Sequence, residues 1–256
     1  MNESVIIPAT YDYRLVALSV LIAICASYAA LDLAERVTTS QKGARMAWLF
    51  GGAIAMGTGI WSMHYTGMLA YRLPVPVYYH VPTVILSMMA AIGASFVALF
   101  IVSRPRISAL HVMAGSLLMA TGISAMHYTG MAAMRLQAMH HWDTSFVVIS
   151  VVIAVAVSLA ALGLTYLFRG EERDNGLKIV CSIIMGFAIP AMHYTAMAAV
   201  TYTSMTEAPD MTFALDISAL ANTAIIVVTF VILGAVLVVR QRTVNAAEPK
   251  TADAQA

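Results

Sequence analysis

Seven apolar stretches of about 20 residues or more, at roughly 15–34, 46–70, 82–102, 109–134, 146–168, 177–200 and 217–239, take up most of this 256-residue chain. About 20 is the number of mostly apolar residues that a helix needs to cross the hydrocarbon of a bilayer. The pattern therefore predicts an all-α membrane protein with seven transmembrane helices, embedded in the lipid bilayer as a multi-pass protein. The composition agrees, with 61% hydrophobic and 11% charged residues against about 45–50% and 25% in a soluble domain. A net charge of +1 leaves no basic surface for nucleic acid. Cys25 and Cys181 lie inside apolar stretches and form neither a disulfide framework nor a Cys-based metal motif. They read as small buried apolar residues.

Lys and Arg are retained on the cytoplasmic side of a membrane, and their placement orients the chain. Arg36, Lys42 and Arg45 lie in one break, and Arg104 and Arg106 in another. Arg169, Arg173 and Lys178 fall in a third, and Arg240, Arg242 and Lys250 in the tail. Only Arg14, Arg72 and Arg135 lie on the other side. The N-terminus is expected outside and the C-terminus in the cytoplasm. Residues 1–14 read as an outer segment, 15–239 as the membrane domain and 240–256 as a short, polar, disordered cytoplasmic tail. The opening "MNESVIIPATYDYR" lacks the basic start of a signal peptide, and no small-residue cleavage site follows a short apolar core.

An internal repeat divides the membrane domain. The second, fourth and sixth stretches contain "GIWSMHYTGMLAYR", "GISAMHYTGMAAMR" and "AIPAMHYTAMAAVT", with Met-His-Tyr-Thr beginning at 63, 126 and 192. Methionine recurs five positions later (Met68, Met131, Met197) and seven earlier (Met56, Met119, Met185), so three repeat positions hold half of the chain's 18 methionines. The odd stretches share serines eight apart, Ser19/Ser27, Ser87/Ser95 and Ser150/Ser158. The unit is a two-helix hairpin used three times, with a seventh helix outside the pattern. Two helices per unit give every copy the same orientation. All three motifs are thus expected at one depth near the outer face, with Ser19, Ser87 and Ser150 at a similar depth.

Residues four apart share a helix face, which pairs His64 with Met68, His127 with Met131 and His193 with Met197. Met63, Met126 and Met192 flank the histidines. If the three faces converge, neutral imidazoles meet among thioethers, a soft donor set that favours copper and Cu(I) above all. No carboxylate repeats to favour zinc, and no oxygen cluster to favour calcium or magnesium. Each residue type also has a packing explanation. Methionine fills cores, tyrosine at a helix end is an interfacial aromatic, and glycine and serine allow close helix approach. The histidines stand apart because an ionisable residue within a membrane is a functional candidate by default. His80, His140 and His141 read as solvated outer-loop residues, His111 lies at the wrong end, and "YRLPVPVYYHVP" at 71–82 reads as a stiff outer loop.

At these strings the sequence resembles the MHYT family of bacterial integral membrane sensor domains, over about residues 10–240. The resemblance implies sensing of a diatomic gas (oxygen, carbon monoxide or nitric oxide) or of redox state. The sensing group would be copper held by Met63, His64, Tyr65 and Met68, by Met126, His127, Tyr128 and Met131, and by Met192, His193, Tyr194 and Met197. It thereby adds Tyr65, Tyr128 and Tyr194 to the candidate site. The third copy departs from the other two with Ala196 in place of Gly67 and Gly130. Many relatives continue into cytoplasmic cyclic-dinucleotide enzymes. With 17 residues after 239, this chain is expected to act through a separate cytoplasmic signalling protein, without being an enzyme itself. A copper carrier is the second reading, with Met56, Met119 and Met185 as its next step inward. A bis-histidine haem enzyme is the third, and it leaves one histidine over.

Overall fold

The computed structural model describes residues 6–40, 42–104, 107–167 and 175–247. Seven helices are long and apolar enough to cross a membrane. They are α1 (Tyr13–Thr39), α2 (Lys42–Ala70), α3 (Val81–Val102), α4 (Ala109–Ala132), α5 (Thr144–Leu167), α6 (Asn175–Ala198) and α7 (Ile217–Ala247). Eight short strands join them: β1 (Ile6–Ile7), β2 (Thr10–Tyr11), β3 (Tyr71–Arg72), β4 (Tyr78–His80), β5 (Met134–Arg135), β6 (Ala138–Trp142), β7 (Val200–Ser204) and β8 (Ala214–Asp216). The chain is therefore not purely helical. Part of the stretch expected to be a stiff loop is strand. α7 also continues eight residues past 239, to Ala247, because the apolar run ends before the helix does. The basic residues Arg106, Arg169 and Arg173, and the tail beyond 247 with Lys250, lie outside the described residues.

Helices α1 to α6 form a closed ring in which each packs against its neighbours and α6 returns to α1. Small residues set the spacing. A Cβ on Gly57 of α2 would stand 2.5 Å from the Ile92 Cα of α3, and one on Gly186 of α6 would stand 2.5 Å from the Ile24 Cα of α1. Such backbone contact is the membrane substitute for a hydrophobic drive, since lipid tails are as apolar as the side chains. The outward faces carry large apolar residues such as Leu86, Leu110 and Phe187, each more than half exposed, as lipid-facing positions should be. Cys181 is buried. Cys25 is not: it faces outward from α1, contrary to the sequence expectation.

The α6–α1 seam, which no connecting loop spans, is held at three levels. At the motif end the Tyr194 and Ser19 hydroxyls lie 2.8 Å apart. Midway, Gly186 meets Ile24. At the far end the ammonium of Lys178, 7% exposed, donates to Asp32 Oδ1 at 2.8 Å and pairs with Glu35 Oε2 at 3.0 Å. Asp32 and Glu35 are thus ion-paired rather than merely near the membrane surface.

At the motif end each helix pair is tied by its own strand pair. β2 pairs with β3 through Tyr11↔Tyr71, β4 with β5 through Tyr79↔Met134, and β6 with β7 through Trp142↔Val200. The same backbone bond closes each tie: Asp12 N–H to Ala70 C=O (2.9 Å), His80 N–H to Ala133 C=O (2.8 Å), Asp143 N–H to Ala199 C=O (2.8 Å). The unit is strand–helix–helix–strand. β1 extends β7, and β8 extends β4. α7 lies outside the ring against α2 and α1, with Ser62 Oγ donating to the Ala224 carbonyl at 2.7 Å. That cover leaves 72% of the α2 span buried against 44% for α4.

Candidate metal centre

The ring brings the three histidines to one point. The Nδ1 atoms of His64, His127 and His193 form a triangle with all three sides 3.2 Å. The rings stand nearly edge-on to one another, at interplanar angles of 84°, 88° and 79°, and none is more than 1% exposed. Among the described residues this is the one group of three or more His, Cys, Asp or Glu side chains close enough to share an ion.

The triangle cannot be satisfied by hydrogen bonds. Each contact needs one N–H and one lone pair, and a ring nitrogen offers one or the other. Three nitrogens of two kinds always leave at least one like pair. A cation at the centre resolves this, since three lone pairs then point at one acceptor. The centre of such a triangle lies about 1.8 Å from each Nδ1 (3.2 Å divided by √3), within a few tenths of an ångström of the roughly 2.0–2.1 Å at which imidazole nitrogen binds zinc. The donor set is neutral and nitrogen-only, and the methionines one position before and four after each histidine are buried. Met63, Met126 and Met192 are at most 1% exposed, and Met68, Met131 and Met197 at most 5%. The residues fit a soft monovalent ion such as Cu(I), and three imidazoles are also a donor set that zinc accepts.

The motif tyrosines lie beside this centre. Their rings meet the histidine rings edge-on at 4.8, 4.9 and 4.8 Å. Their hydroxyls turn to a neighbouring odd-numbered helix: Tyr65 to Ser87 of α3 (3.4 Å), Tyr128 to Ser150 of α5 (2.7 Å) and Tyr194 to Ser19 of α1 (2.8 Å). The serines that sequence placed at motif depth are thus the tyrosines' partners, a role beyond close helix approach. A second aromatic layer went unforeseen. Tyr79 in the middle of β4, and Trp142 and Tyr11 at the ends of β6 and β2, stack edge-on against Tyr65, Tyr128 and Tyr194. An aromatic one residue before the N-cap of each odd helix was the available signal. The other histidines are engaged elsewhere, His80 with Thr83, His111 with Ser108 and His141 with Thr203.

The Nε2 atoms of the trio are buried with no hydrogen-bond partner among the described residues. They abut the positions where the repeat keeps glycine. A Cβ on Gly130 would stand 2.5 Å from His64 Nε2, and one on Gly67 would stand 2.6 Å from His193 Nε2. Beyond Met68 the cap holds a pocket of about 280 Å³ lined by Arg72, Tyr79, Met134 and the first residues of α7, among others. Burial pushes the Tyr71 hydroxyl there up to about 12, and Tyr11, Tyr79 and Tyr202 are raised too. At the rim, the hydrogen bond from Arg72 lowers the Asp12 carboxyl. An unfolded tyrosine ionises near its usual value of 10, whereas these keep their protons longer, so stability falls as pH rises from about 10 toward 12. Tyrosinate absorbance followed with pH is expected to show a late group titrating together with loss of structure. Tyrosines that all titrate independently near 10 would contradict the packed cap.

Comparison with known proteins agrees with this architecture. The family described as "Bacterial signalling protein N terminal repeat" matches residues 3–48, 57–115, 121–175 and 186–247. The chain is 44% identical over 195 residues to the bifunctional diguanylate cyclase/cyclic di-GMP phosphodiesterase MucR of Pseudomonas aeruginosa, covering 76% of this chain and 28% of that protein. It is 40% identical over 192 residues to the cyclic di-GMP phosphodiesterase NbdA of the same organism, covering 74% and 24%. Against the signaling protein YkoW of Bacillus subtilis it is 36% identical over 199 residues, covering 77% and 25%. The chain spans about a quarter of the length of these relatives. No solved structure matches it. With its repeats matched from end to end and seven spanning helices around three Met-His-Tyr-Thr strings, the chain belongs to the MHYT family of multi-pass membrane signalling proteins.

Proposed function

We propose that the chain is a copper-dependent membrane sensor of a diatomic gas or of redox state, and that it passes the signal to a separate cytoplasmic protein without catalysing a reaction. The supporting observation is the enclosed triangle of three Nδ1 atoms, which no neutral tautomer set satisfies and a soft cation does. In this reading His64, His127 and His193 hold the ion, with the buried methionines as further soft donors. Copper would supply a Lewis-acidic and redox-active centre for the gas. The tyrosines fix the imidazoles from the side through their serine bonds. The motif end faces outward, as the Lys and Arg distribution directs.

α7 offers the route for the signal. Its first residues, Ile217 and Ser218, line the same pocket as Met68 together with Asp216 of β8, and the helix then continues to Ala247. A change at the trio has to favour one of two placements of α7 to be read at the other end, because equal affinity for both shifts nothing. The carrier reading has less support. Inward of Met56 and Met185 the lumen is lined by alanine and leucine, which offer a travelling ion no next ligand.

Metal content by elemental mass spectrometry tests this reading on detergent-purified protein, beside a variant with His64, His127 and His193 all changed to Ala. About one copper per parent chain after Cu(I) loading and none in the variant is expected. Exposure of the loaded protein to carbon monoxide should then give a C–O stretching band absent from the variant. No copper in the loaded parent would remove the basis for the sensor.

A further inference from the structure

We propose that the half of the ring remote from the motif holds a second binding site, for one apolar molecule of about diatomic size. A cavity of about 30 Å³ lies there, walled by α1, α2, α3, α5 and α6. One water-sized sphere needs roughly 10–15 Å³ of the same space, so the cavity takes two abreast, the size of a diatomic molecule or a xenon atom. Its lining disfavours water. The lining is alanine, leucine and methionine throughout, whereas a buried water requires two to four polar partners.

The cavity follows the repeat. Ala30, Ala98 and Ala161 line it from equivalent positions of α1, α3 and α5, each followed by a leucine that also lines it. Close-packed interiors keep few voids of this size, and a larger side chain at any of the three alanines would fill this one. The layers nearer the motif are filled: Met63, Met126, Met192 and the histidines are at most 1% exposed. The site is distinct from the trio. Met56 and Met185 form its wall toward the motif and stand eight residues, or about 12 Å of helix, from His64 and His193. These thioethers are flexible. A small apolar molecule dissolved in the hydrocarbon thus has a resting place below the histidine layer, with the buried hydroxyls of Ser27, Ser95 and Ser158 one turn nearer the motif. The site does not depend on metal at the trio.

Xenon is the probe, read by 129Xe NMR on the protein in lipid nanodiscs, with empty nanodiscs as the baseline. The parent is expected to show a saturable xenon shift beyond that of lipid. Ala161→Phe should weaken it at least tenfold, and Ala98→Leu, a smaller change on another helix, should weaken it severalfold. If Ala161→Phe does not fold, Ala98→Leu decides. The triple His-to-Ala variant should keep the parent's xenon shift. Three results would each overturn the proposal: no shift in the parent beyond lipid, a full shift in the filled variants, or a shift lost only with the histidines. Cu(I) loading of the same samples reads the trio separately, so the two sites can fail independently.

Discussion

Metal-free protein carrying His64→Phe melts no lower than the metal-free parent, and the order reverses once both are loaded with Cu(I). In the parent at least one of the three Nδ1 contacts pairs two N–H groups or two lone pairs at 3.2 Å, in a site buried from solvent. An unsatisfied buried polar group costs about 1–3 kcal/mol. Phenylalanine at 64 leaves His127 and His193 as one complementary pair, and it also removes the orphan Nε2 of His64. The penalty and the lost contacts are therefore of similar size. Metal changes the balance. An ion at 1,000 times its dissociation constant stabilises the folded state by about 4 kcal/mol, which in a chain of this length is on the order of 10 °C. The variant, with two donors left, loses most of that gain. Thermal unfolding in detergent with and without Cu(I) reads both. A metal-free variant that melts far below the parent, or equal copper shifts in the two proteins, would show that the trio is a structural cluster.

Gly130→Val is expected to cost at least 100-fold in Cu(I) affinity while costing the fold far less. The new Cβ would stand 2.5 Å from His64 Nε2, too close for the ring to stay, and 3.3 Å from the Tyr65 hydroxyl, which would have to give by a few tenths of an ångström. α4 has no room to retreat. It already packs so tightly on α3 that a Cβ on Gly122 would fall 2.1 Å from the Ala94 Cβ. The imidazole must therefore swing out of the triangle, and a ligand displaced by an ångström no longer donates. The third copy calibrates the effect. Ala196 occupies the equivalent place, so alanine at Gly67 or Gly130 should rank between glycine and valine, and Ala196→Gly should bind copper as the parent does. Competition against a chromogenic Cu(I) chelator measures the series. Parent-like affinity in Gly130→Val would mean that the seam does not hold the imidazole in place.

The common depth of the three motifs was legible because two-helix units repeat orientation, whereas the convergence of the histidines stood only as a condition. What the sequence lacked was distance between helices. That distance is set by glycines such as Gly57 and Gly186, whose contacts lie on helices that spacing cannot align. The serine–tyrosine bonds were missed for the same reason: depth placed Ser87 and Tyr65 together, but not which hydroxyl met which. The strands were invisible because two to five residues carry no readable alternation, and Tyr-Arg or Tyr-Tyr-His in a Pro-rich stretch looks like a loop. Cys25 was misjudged because a spanning helix is apolar on both faces, so apolarity does not tell the lumen from lipid. α7 extends past Val239 because helix formation tolerates Arg240 and Gln241, while the apolar criterion stops there.

Because every strand–helix–helix–strand unit closes on its own backbone bonds, residues 10–72 contain all the pairing that one third of the ring makes with itself. A polypeptide of that length could assemble as a homotrimer whose rotation axis passes through the histidine triangle. The present chain corresponds to such a trimer written as one gene. Fusion permits what rotation forbids. One unit keeps alanine where the others keep glycine, and α7 packs on α2 and α1, so a centre on an axis with no direction of its own has a cover on one side of the molecule.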